Sequence, residues 1–169
     1  MTTIRRIRTG EADLFRCMRL ESLRDAPYAF SSTYASALCR SAESWREQAD
    51  RTAQGADRAT FIAFSDDTPI GIAALYRLPD QPQLGEVLQV WVAPEHRGTR
   101  VAPDLMDVVF EWAGDNGFCT IIARITKENT RALKFYRKQG FALTREDSLS
   151  GSDEVSLVRE VGSGNSGDM

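Results

Sequence analysis

The sequence predicts a single α+β domain built around a mixed, mostly antiparallel twisted sheet. Hydrophobic periodicity changes along the chain in the order strand, two helices, three strands, helix, strand, helix and two strands. A chain of 169 residues can bury one full core but is short for two. The composition, 42% hydrophobic and 27% charged, is that of a globular protein. We expect about seven strands and about four flanking helices over residues 1–161.

The first half of the chain predicts a strand, two helices and a strand meander. Ile4 and Ile7 indicate a short first strand, and residues 11–24 place apolar side chains at helical spacing until Pro27. Ser41 begins a second helix that runs toward Gln54. The meander consists of three apolar segments separated by turn residues, at 59–64, 70–78 and 86–92.

The second half predicts a helix over 98–114, ended by Gly117, and a strand over 119–125 buried on both faces. A short helix from Asn129 stops at Gly140, and a final hairpin turns around Gly151. Residues 162–169 lack apolar anchors, so we expect a disordered C-terminal tail.

Composition also excludes several classes of protein. No apolar run approaches the ~20 residues of a membrane span, and the first residues contain no apolar leader segment. The net charge of −3 argues against a nucleic-acid partner. Three separated cysteines form neither a disulfide framework nor a metal-ligand pattern; we expect no metal, reduced thiols, burial of Cys17 and Cys119, and a cytoplasmic protein. His96 is the single histidine, which excludes most histidine-dependent catalysis.

The stretch VAPEHRGTRVAPDLM carries a strand into an amphipathic helix through a charged turn. A helix start leaves about four N–H groups without intrahelical partners and bears partial positive charge, so it suits a phosphate. Gly98 lets a ligand approach the backbone, Thr99 offers a hydroxyl, and Arg97 and Arg100 offer forked donors. The stretch is either a pyrophosphate cradle or a capped helix with solvated arginines.

A second stretch, NTRALKFYRKQGF, places a polar amide and a phenol on one helix face. Asn129, Ala132, Leu133 and Tyr136 share that face at helical spacing. The alternative is that Asn129 is a helix N-cap and Tyr136 a core residue.

Together the two stretches resemble the GNAT superfamily of acetyl-CoA-dependent N-acetyltransferases. The resemblance implies that the backbone of Val90, Trp91 and Val92 pairs with the pantetheine arm of acetyl-CoA. It implies that backbone N–H groups hold the pyrophosphate, from Arg97, Gly98, Thr99, Arg100, Val101 and Ala102. It further implies that Asn129 contacts the cofactor and that Tyr136 gives a proton to the leaving thiolate.

The sequence departs from the family pattern at two positions. Arg100 stands where the family usually has Gly or Ala; it either points toward the cofactor's 3′-phosphate or crowds the cradle. Pro103 removes one N–H group from the first helical turn.

Acetyl transfer to an amine also needs a base, because ammonium groups with a pKa near ~10 are mostly protonated at neutral pH. Glu86 resembles the family position that often acts as base through water; alternatively it is an ordinary strand-end carboxylate. The N–H of Val92 is a candidate donor to the thioester carbonyl. Glu86, Leu88, Val90 and Val92 share one strand face unless a bulge intervenes.

The acceptor is expected between the first two helices and the sheet. Tyr28, Phe30, Tyr34 and Tyr76 form either its wall or part of the core, while Glu21 and Asp25 are candidate attractors of an amine. The predicted activity is acetylation of a primary amine on a small molecule by direct attack in a ternary complex. Open alternatives are acetylation of protein or peptide N-termini, a non-catalytic acetyl-CoA-binding module, a nucleotide-binding regulator and a longer acyl donor. The chain is either a monomer or a homodimer.

Overall fold

A seven-stranded sheet is the frame of the molecule in the computed structural model, which describes residues 1–27, 32–144 and 153–161. In these ranges the strands are β1 Thr2–Arg6, β2 Arg58–Ser65, β3 Thr68–Leu78, β4 Gln81–Val92, β5 Thr120–Thr126, β6 Ala142–Leu143 and β7 Glu154–Glu160. The helices are α1 Ala12–Asp25, α2 Tyr34–Leu38, α3 Ala42–Ala53, α4 Val101–Asp115 and α5 Thr130–Lys138. The predicted α+β class with a mixed sheet is therefore confirmed.

The strands lie in the order β1-β2-β3-β4-β5-β7-β6. β1 runs antiparallel to β2, and β7 runs antiparallel to both β5 and β6. β4 and β5 are parallel, so their connection must cross over, and α4 is that crossover helix. This topology puts the end of β4, a short turn at Pro94–His96 and the start of α4 in direct succession.

The chain divides into two compact units, of which the first comprises Met1–Leu75 and Gln89–Val109. Its core is a cluster of buried apolar side chains drawn from the first three helices and the strands: Ile7, Phe15, Met18, Leu23, Ala37, Trp45, Ala49, Ile62, Ile72 and Trp91. Phe15 meets Trp45 edge to face, with ring centroids 5.7 Å apart.

The second unit comprises Tyr76–Leu88 and Phe110–Met169. Buried apolar residues of its core include Phe118, Ile121, Ala123, Tyr136, Phe141 and Leu157. The guanidinium of Arg77 stacks 3.8 Å from the Phe118 ring and donates to the Asn116 carbonyl at 2.8 Å. An apolar core edged by stacked arginines thus holds β5, α5 and β7 together.

Element boundaries differ from the sequence predictions in ways that have local causes. α4 begins at Val101 rather than residue 98, because Gly98 has a φ of 76°, outside the right-handed helical region. The short helix α2 is an addition to the prediction. β5 alternates in burial, with Ile121 and Ala123 buried and Arg124 exposed, so the expectation of burial on both faces is wrong. Gly151 and the tail 162–169 lie outside the described residues.

The described ranges also show the exposure of the cysteines, the apolar length of the helices and the grouping of metal-ligating side chains. Cys17 and Cys119 are exposed, contrary to the predicted burial, since each lies on the polar side of its segment; Cys39 is exposed as well, and all three are unpaired thiols. No helix in the described ranges is both long and apolar enough to cross a bilayer. Nor do those ranges contain a group of three or more His, Cys, Asp or Glu side chains arranged to hold a metal ion.

Candidate active site

β4 is interrupted by one residue in the left-handed backbone region. Gln89 has a φ of 60°, which is uncommon for a residue other than glycine, asparagine or aspartate. Before it Gly85 and Val87 are buried and Glu86 and Leu88 half-buried, whereas after it Trp91 and Val92 are both buried. The alternation breaks at Gln89, so the condition for a shared face of Glu86, Leu88, Val90 and Val92, an uninterrupted strand, is not met.

The register between β4 and β5 is short. It pairs Leu84–Glu86 with Thr120–Ile122, although β5 continues to Thr126 and β4 to Val92. The backbone of Val90, Trp91 and Val92 thus lies outside that ladder. A strand that lacks a paired neighbour along one edge can hydrogen-bond an extended ligand at that edge.

The turn between β4 and α4 presents a row of unpaired donors. Within the described residues, the N–H groups of Gly98, Thr99, Arg100 and Ala102 have no hydrogen-bond acceptor. The N–H of Arg97 instead donates to the Pro94 carbonyl at 3.3 Å. A Cβ at Gly98 would meet no atom of the described residues within 4 Å, so among those residues the space at Gly98 is open. This arrangement fits a phosphate or pyrophosphate group.

The start of α4 is held against β3 by a close contact at Gly71. A Cβ there would lie 3.1 Å from Leu105 Cδ1, 3.2 Å from the Trp91 carbonyl oxygen and 3.4 Å from Val101 Cγ1. Glycine therefore lets the first turns of α4 approach the sheet. The donor row is positioned by packing on β3 rather than by the loop sequence alone.

The two arginines of the turn have different environments. Arg97 Nε donates to the Val92 carbonyl at 3.0 Å, and Arg97 Nη2 donates to Asp25 Oδ2. Trp91 Nε1 donates to the same Asp25 oxygen at 2.9 Å. Arg100 is instead 75% exposed and lies 3.3 Å from Asp104 on the outer face of α4. The Arg100 side chain is thus exposed and paired with Asp104, whereas that of Arg97 is bound to Asp25 and Val92.

Thr99 and Pro103 shape the helix start. The Thr99 hydroxyl donates to the His96 carbonyl and accepts from the Val101 N–H at 3.4 Å. Its proton is therefore used in a hydrogen bond within the turn. The first α4 backbone bond runs from the Asp104 N–H to the Arg100 carbonyl at 2.9 Å. Pro103 precedes that bond, so it removes a donor without breaking the helix.

Asn129 is the N-cap of α5, since its side-chain oxygen accepts from the Ala132 N–H at 3.1 Å. The predicted face is present: Asn129, Ala132 and Leu133 are half-buried and Tyr136 is buried. The cap uses only the amide oxygen, and the amide NH₂ has no acceptor in the described part of the chain.

Tyr136 is 6% exposed and packs edge to face on Phe135 and Phe141, each at 5.2 Å between ring centroids. Burial raises the pKa of its phenol far above the usual value, so the group is protonated throughout the neutral range. No described group hydrogen-bonds its hydroxyl. Tyr136 is thus a buried core residue whose phenol keeps its proton at neutral pH.

Glu86 lies on β4 beside Ile122 of β5 and is half-buried. Its carboxylate has neither a salt bridge nor a hydrogen bond within the described residues. A half-buried carboxylate without a cation beside it retains the capacity to accept a proton.

A groove of about 260 Å³ runs between α1 and α2 in the first unit. Its lining is mixed in charge and contains one aromatic side chain: Arg16, Cys17, Leu20, Glu21, Arg24 and Tyr34. Tyr34 also packs against the apolar core of that unit, so it contributes to both. Tyr76 is half-buried on β3, while Tyr28 and Phe30 lie outside the described residues.

Two features of the site have no counterpart in the sequence predictions. Asp25 was expected to attract an amine, yet it binds Trp91 and Arg97, which are distant in sequence. The left-handed Gln89 gives no signal either, because glutamine is not a residue that marks such a conformation.

The chain is similar in sequence and in fold to known acetyltransferases. An uncharacterized N-acetyltransferase of Mycobacterium tuberculosis is 33% identical over 108 residues, covering 62% of this chain and 68% of the relative. A GNAT-family acetyltransferase from Streptococcus pneumoniae superposes with a TM-score of 0.79 at 16% identity, covering 96% of this chain and 100% of that one. The PaiA N-acetyltransferase from Thermoplasma acidophilum, solved in complex with coenzyme A, gives a TM-score of 0.77 at 19% identity over 95% and 99% of the two chains.

At these identities the two solved structures show a shared fold. The model of the acetyltransferase (GNAT) family matches residues 20–141, which is more than half of the sequence. The chain belongs to the GNAT family of acetyltransferases.

Proposed function

We propose that this chain transfers the acetyl group of acetyl-CoA to a primary amine of a small molecule, by direct attack in a ternary complex. The observation that carries the proposal is the set of backbone N–H groups of Gly98, Thr99, Arg100 and Ala102, which have no acceptor among the described residues and lie at a left-handed glycine. Coenzyme A contains a pyrophosphate, which such a helix start binds. The Thermoplasma relative of the same fold was solved with coenzyme A.

Several groups of this chain would hold acetyl-CoA. The N–H groups of Gly98, Thr99, Arg100 and Ala102 are the proposed pyrophosphate donors, and the exposed Arg100 guanidinium is the proposed partner of the 3′-phosphate. The backbone of Val90–Val92 would bind the pantetheine arm as an added strand, and the Asn129 amide would contact the cofactor. Arg97 would hold the turn in place rather than contact a phosphate, since its guanidinium already binds Asp25.

Acetyl-CoA supplies the acetyl group as a reactive thioester. In the proposed reaction Glu86 takes a proton from the acceptor ammonium, which frees the nitrogen lone pair for attack on the acyl carbon. Tyr136 gives its phenolic proton to the sulfur as the carbon–sulfur bond breaks. The nitrogen loses its second proton as the amide forms; this proton restores the Tyr136 phenol, and Glu86 releases the first proton to solvent. The products are an amide and a free thiol.

The groove between α1 and α2 supports a small acceptor. Its volume of about 260 Å³ is at or below the size of pockets that hold drug-sized ligands. Glu21 supplies one anionic group and Tyr34 one aromatic ring there, beside two cationic side chains, Arg16 and Arg24.

The direct test is incubation of the purified protein with acetyl-CoA and a panel of amines, with free thiol and product mass measured together. The panel comprises aminoglycosides, polyamines, amino acids and short peptides. A product heavier by one acetyl group in a small-molecule class supports the proposal and names the acceptor chemistry. Acetylation of peptides alone would replace it with N-terminal acetylation, and the absence of any thiol release would indicate a binding module.

Glu86→Gln tests the assigned base. We expect kcat to fall about 10²-fold or more with an acceptor whose amine is protonated, because the proton then lacks an acceptor. The loss should be much smaller with an acceptor whose amine is already neutral. Glu111→Gln, an exposed carboxylate on α4, is the matched control and should leave kcat unchanged. Equal kcat for Glu86→Gln and wild type would remove Glu86 from the mechanism.

A further inference from the structure

We propose that Asp25 is a positioning residue for cofactor binding, which fixes the β4–α4 turn through Arg97 and Trp91. The inference rests on the proposed function, since it takes that turn to be the acetyl-CoA site. It assigns a role to a carboxylate at the end of α1, the last residue of that helix.

The geometry forms a chain of three side chains. One oxygen of Asp25, Oδ2, accepts from Trp91 Nε1 at 2.9 Å and from Arg97 Nη2. The same guanidinium donates through Nε to the Val92 carbonyl at 3.0 Å. Arg97 therefore joins the end of β4 to the end of α1 with two different nitrogens.

One end of this chain is anchored in the core. Trp91 is 6% exposed and belongs to the same apolar cluster as Phe15 and Met18. Its ring cannot shift without disturbing that packing, so its N–H holds the Asp25 carboxylate in a fixed place. Asp25 and Arg97 are themselves only 28% and 30% exposed, which reduces competition from water.

The other end of the chain reaches the donor row. Arg97 immediately precedes Gly98, whose left-handed backbone begins the unpaired N–H groups. Within the same turn the His96 N–H donates to the Ala93 carbonyl at 2.9 Å and the Ala93 N–H donates to the Ile70 carbonyl at 2.8 Å. The guanidinium links this turn to α1, and the Trp91 hydrogen bond links the end of β4 to the same carboxylate, so Asp25 helps to fix where the donors point.

This arrangement also makes Asp25 a weaker candidate for attracting an acceptor amine. Its bound oxygen already has two donors, one of them a full positive charge. An acceptor ammonium would have to compete with a guanidinium that is held in place by a second hydrogen bond.

The test is calorimetric titration of the full chain with coenzyme A, followed by steady-state kinetics with acetyl-CoA. We expect Asp25→Asn to raise Kd for coenzyme A and KM for acetyl-CoA about tenfold, with kcat changed less than about twofold. Trp91→Phe keeps the ring and removes one donor, so a smaller rise is expected. Asp67→Asn, an exposed turn residue, is the matched control and should not change Kd.

A double-mutant cycle separates positioning from general destabilisation. Arg97→Lys keeps the charge but loses the fork, so it should raise Kd alone, and combining it with Asp25→Asn should add little further loss. Thermal unfolding of each variant identifies the temperature range in which all remain folded, and Kd is measured there. A merely structural Asp25 would lower the unfolding temperature without raising Kd.

The failures are distinguishable. If Asp25→Asn binds coenzyme A as tightly as the wild-type chain does, the positioning role is overturned and the proposed function stands. Wild-type chain that does not bind coenzyme A overturns the proposed function itself, and the positioning role with it.

Discussion

Arg97 and Arg100 flank the same two residues and look equivalent in the sequence, yet the fold gives them different tasks. Arg97 is 30% exposed and bound to Asp25 and the Val92 carbonyl, while Arg100 is 75% exposed on the outer face of α4. The difference arises because only Arg97 lies within reach of the α1 terminus. A basic residue beside the proposed phosphate-binding turn can therefore be a structural link as readily as a ligand contact.

Tyr136 gives the sharpest prediction at the level of single residues. Tyr136→Phe removes the hydroxyl but keeps the edge-to-face packing on Phe135 and Phe141. We expect kcat to fall about 10²-fold, with the free energy of unfolding within about 0.5 kcal/mol of wild type, because the hydroxyl has no partner in the described chain. Thiol-release kinetics and chemical denaturation measure the two quantities.

The pH profile provides an internal check on Tyr136. Because burial raises the pKa of its phenol, the group stays protonated and wild-type kcat should show no loss of this acid up to about pH 9.5. An unchanged kcat in Tyr136→Phe would leave the tyrosine as a core residue only.

Among the elements, α4 decides where the donor row lies, and its approach to β3 depends on Gly71. Gly71→Ala would place a Cβ 3.1 Å from Leu105 and 3.2 Å from the Trp91 carbonyl oxygen. The carbonyl is backbone and cannot move freely, so the helix must shift. We expect a loss of about 1–3 kcal/mol in the free energy of unfolding and weaker binding of coenzyme A.

Gly114→Ala, on α4, is the control for Gly71→Ala, on β3. Its Cβ would meet only Val161 Cγ1, at an ordinary 3.8 Å. Alanine in a helix is favoured over glycine by about 0.5–1 kcal/mol, so this variant should be stabilised, as denaturant titration would show. Gly71→Ala as stable as wild type would mean that α4 is not held by this contact.

For the whole molecule, the sequence predicts the order of strands and helices because hydrophobic periodicity is set by local spacing. It also predicts the face shared by Asn129 and Tyr136, since residues at helical spacing along one short segment lie on the same side of a helix. It does not predict the left-handed Gln89 or the link from Asp25 to Trp91 and Arg97, because neither depends on neighbouring residues. The exposure of Cys17 was missed because apolar spacing on α1 does not fix which edge of the helix meets water.

Global stability should depend on pH through Glu11, which joins β1 to α1. Its carboxylate accepts both Arg5 Nη1 and Nη2 at 2.8 Å and the Arg8 N–H at 2.7 Å, and the hydrogen bond from Arg5 is the main cause that lowers the pKa of Glu11. A carboxylate with a lowered folded-state pKa stabilises the fold above its unfolded pKa of about 4.3, and this contribution is lost as the pH falls further.

Glu11→Gln should therefore lower the free energy of unfolding by up to about 1 kcal/mol at pH 7, a modest value because both partners are over a quarter exposed to solvent. The difference from wild type should shrink progressively below about pH 4, where Glu11 itself becomes neutral. Denaturant titrations at pH 7 and pH 3.5 measure it. A difference that is equal at both pH values would show that Glu11 acts through packing.

The three exposed thiols have a practical consequence for anyone who handles this protein. Cys17, Cys39 and Cys119 are exposed and unpaired, so we expect air oxidation to form disulfides between separate molecules. A preparation stored without reductant will therefore show covalent dimers and larger species on a non-reducing gel. Any measurement of assembly state needs a reducing agent or a triple Cys→Ser variant, because disulfide-linked species would otherwise be mistaken for native oligomers.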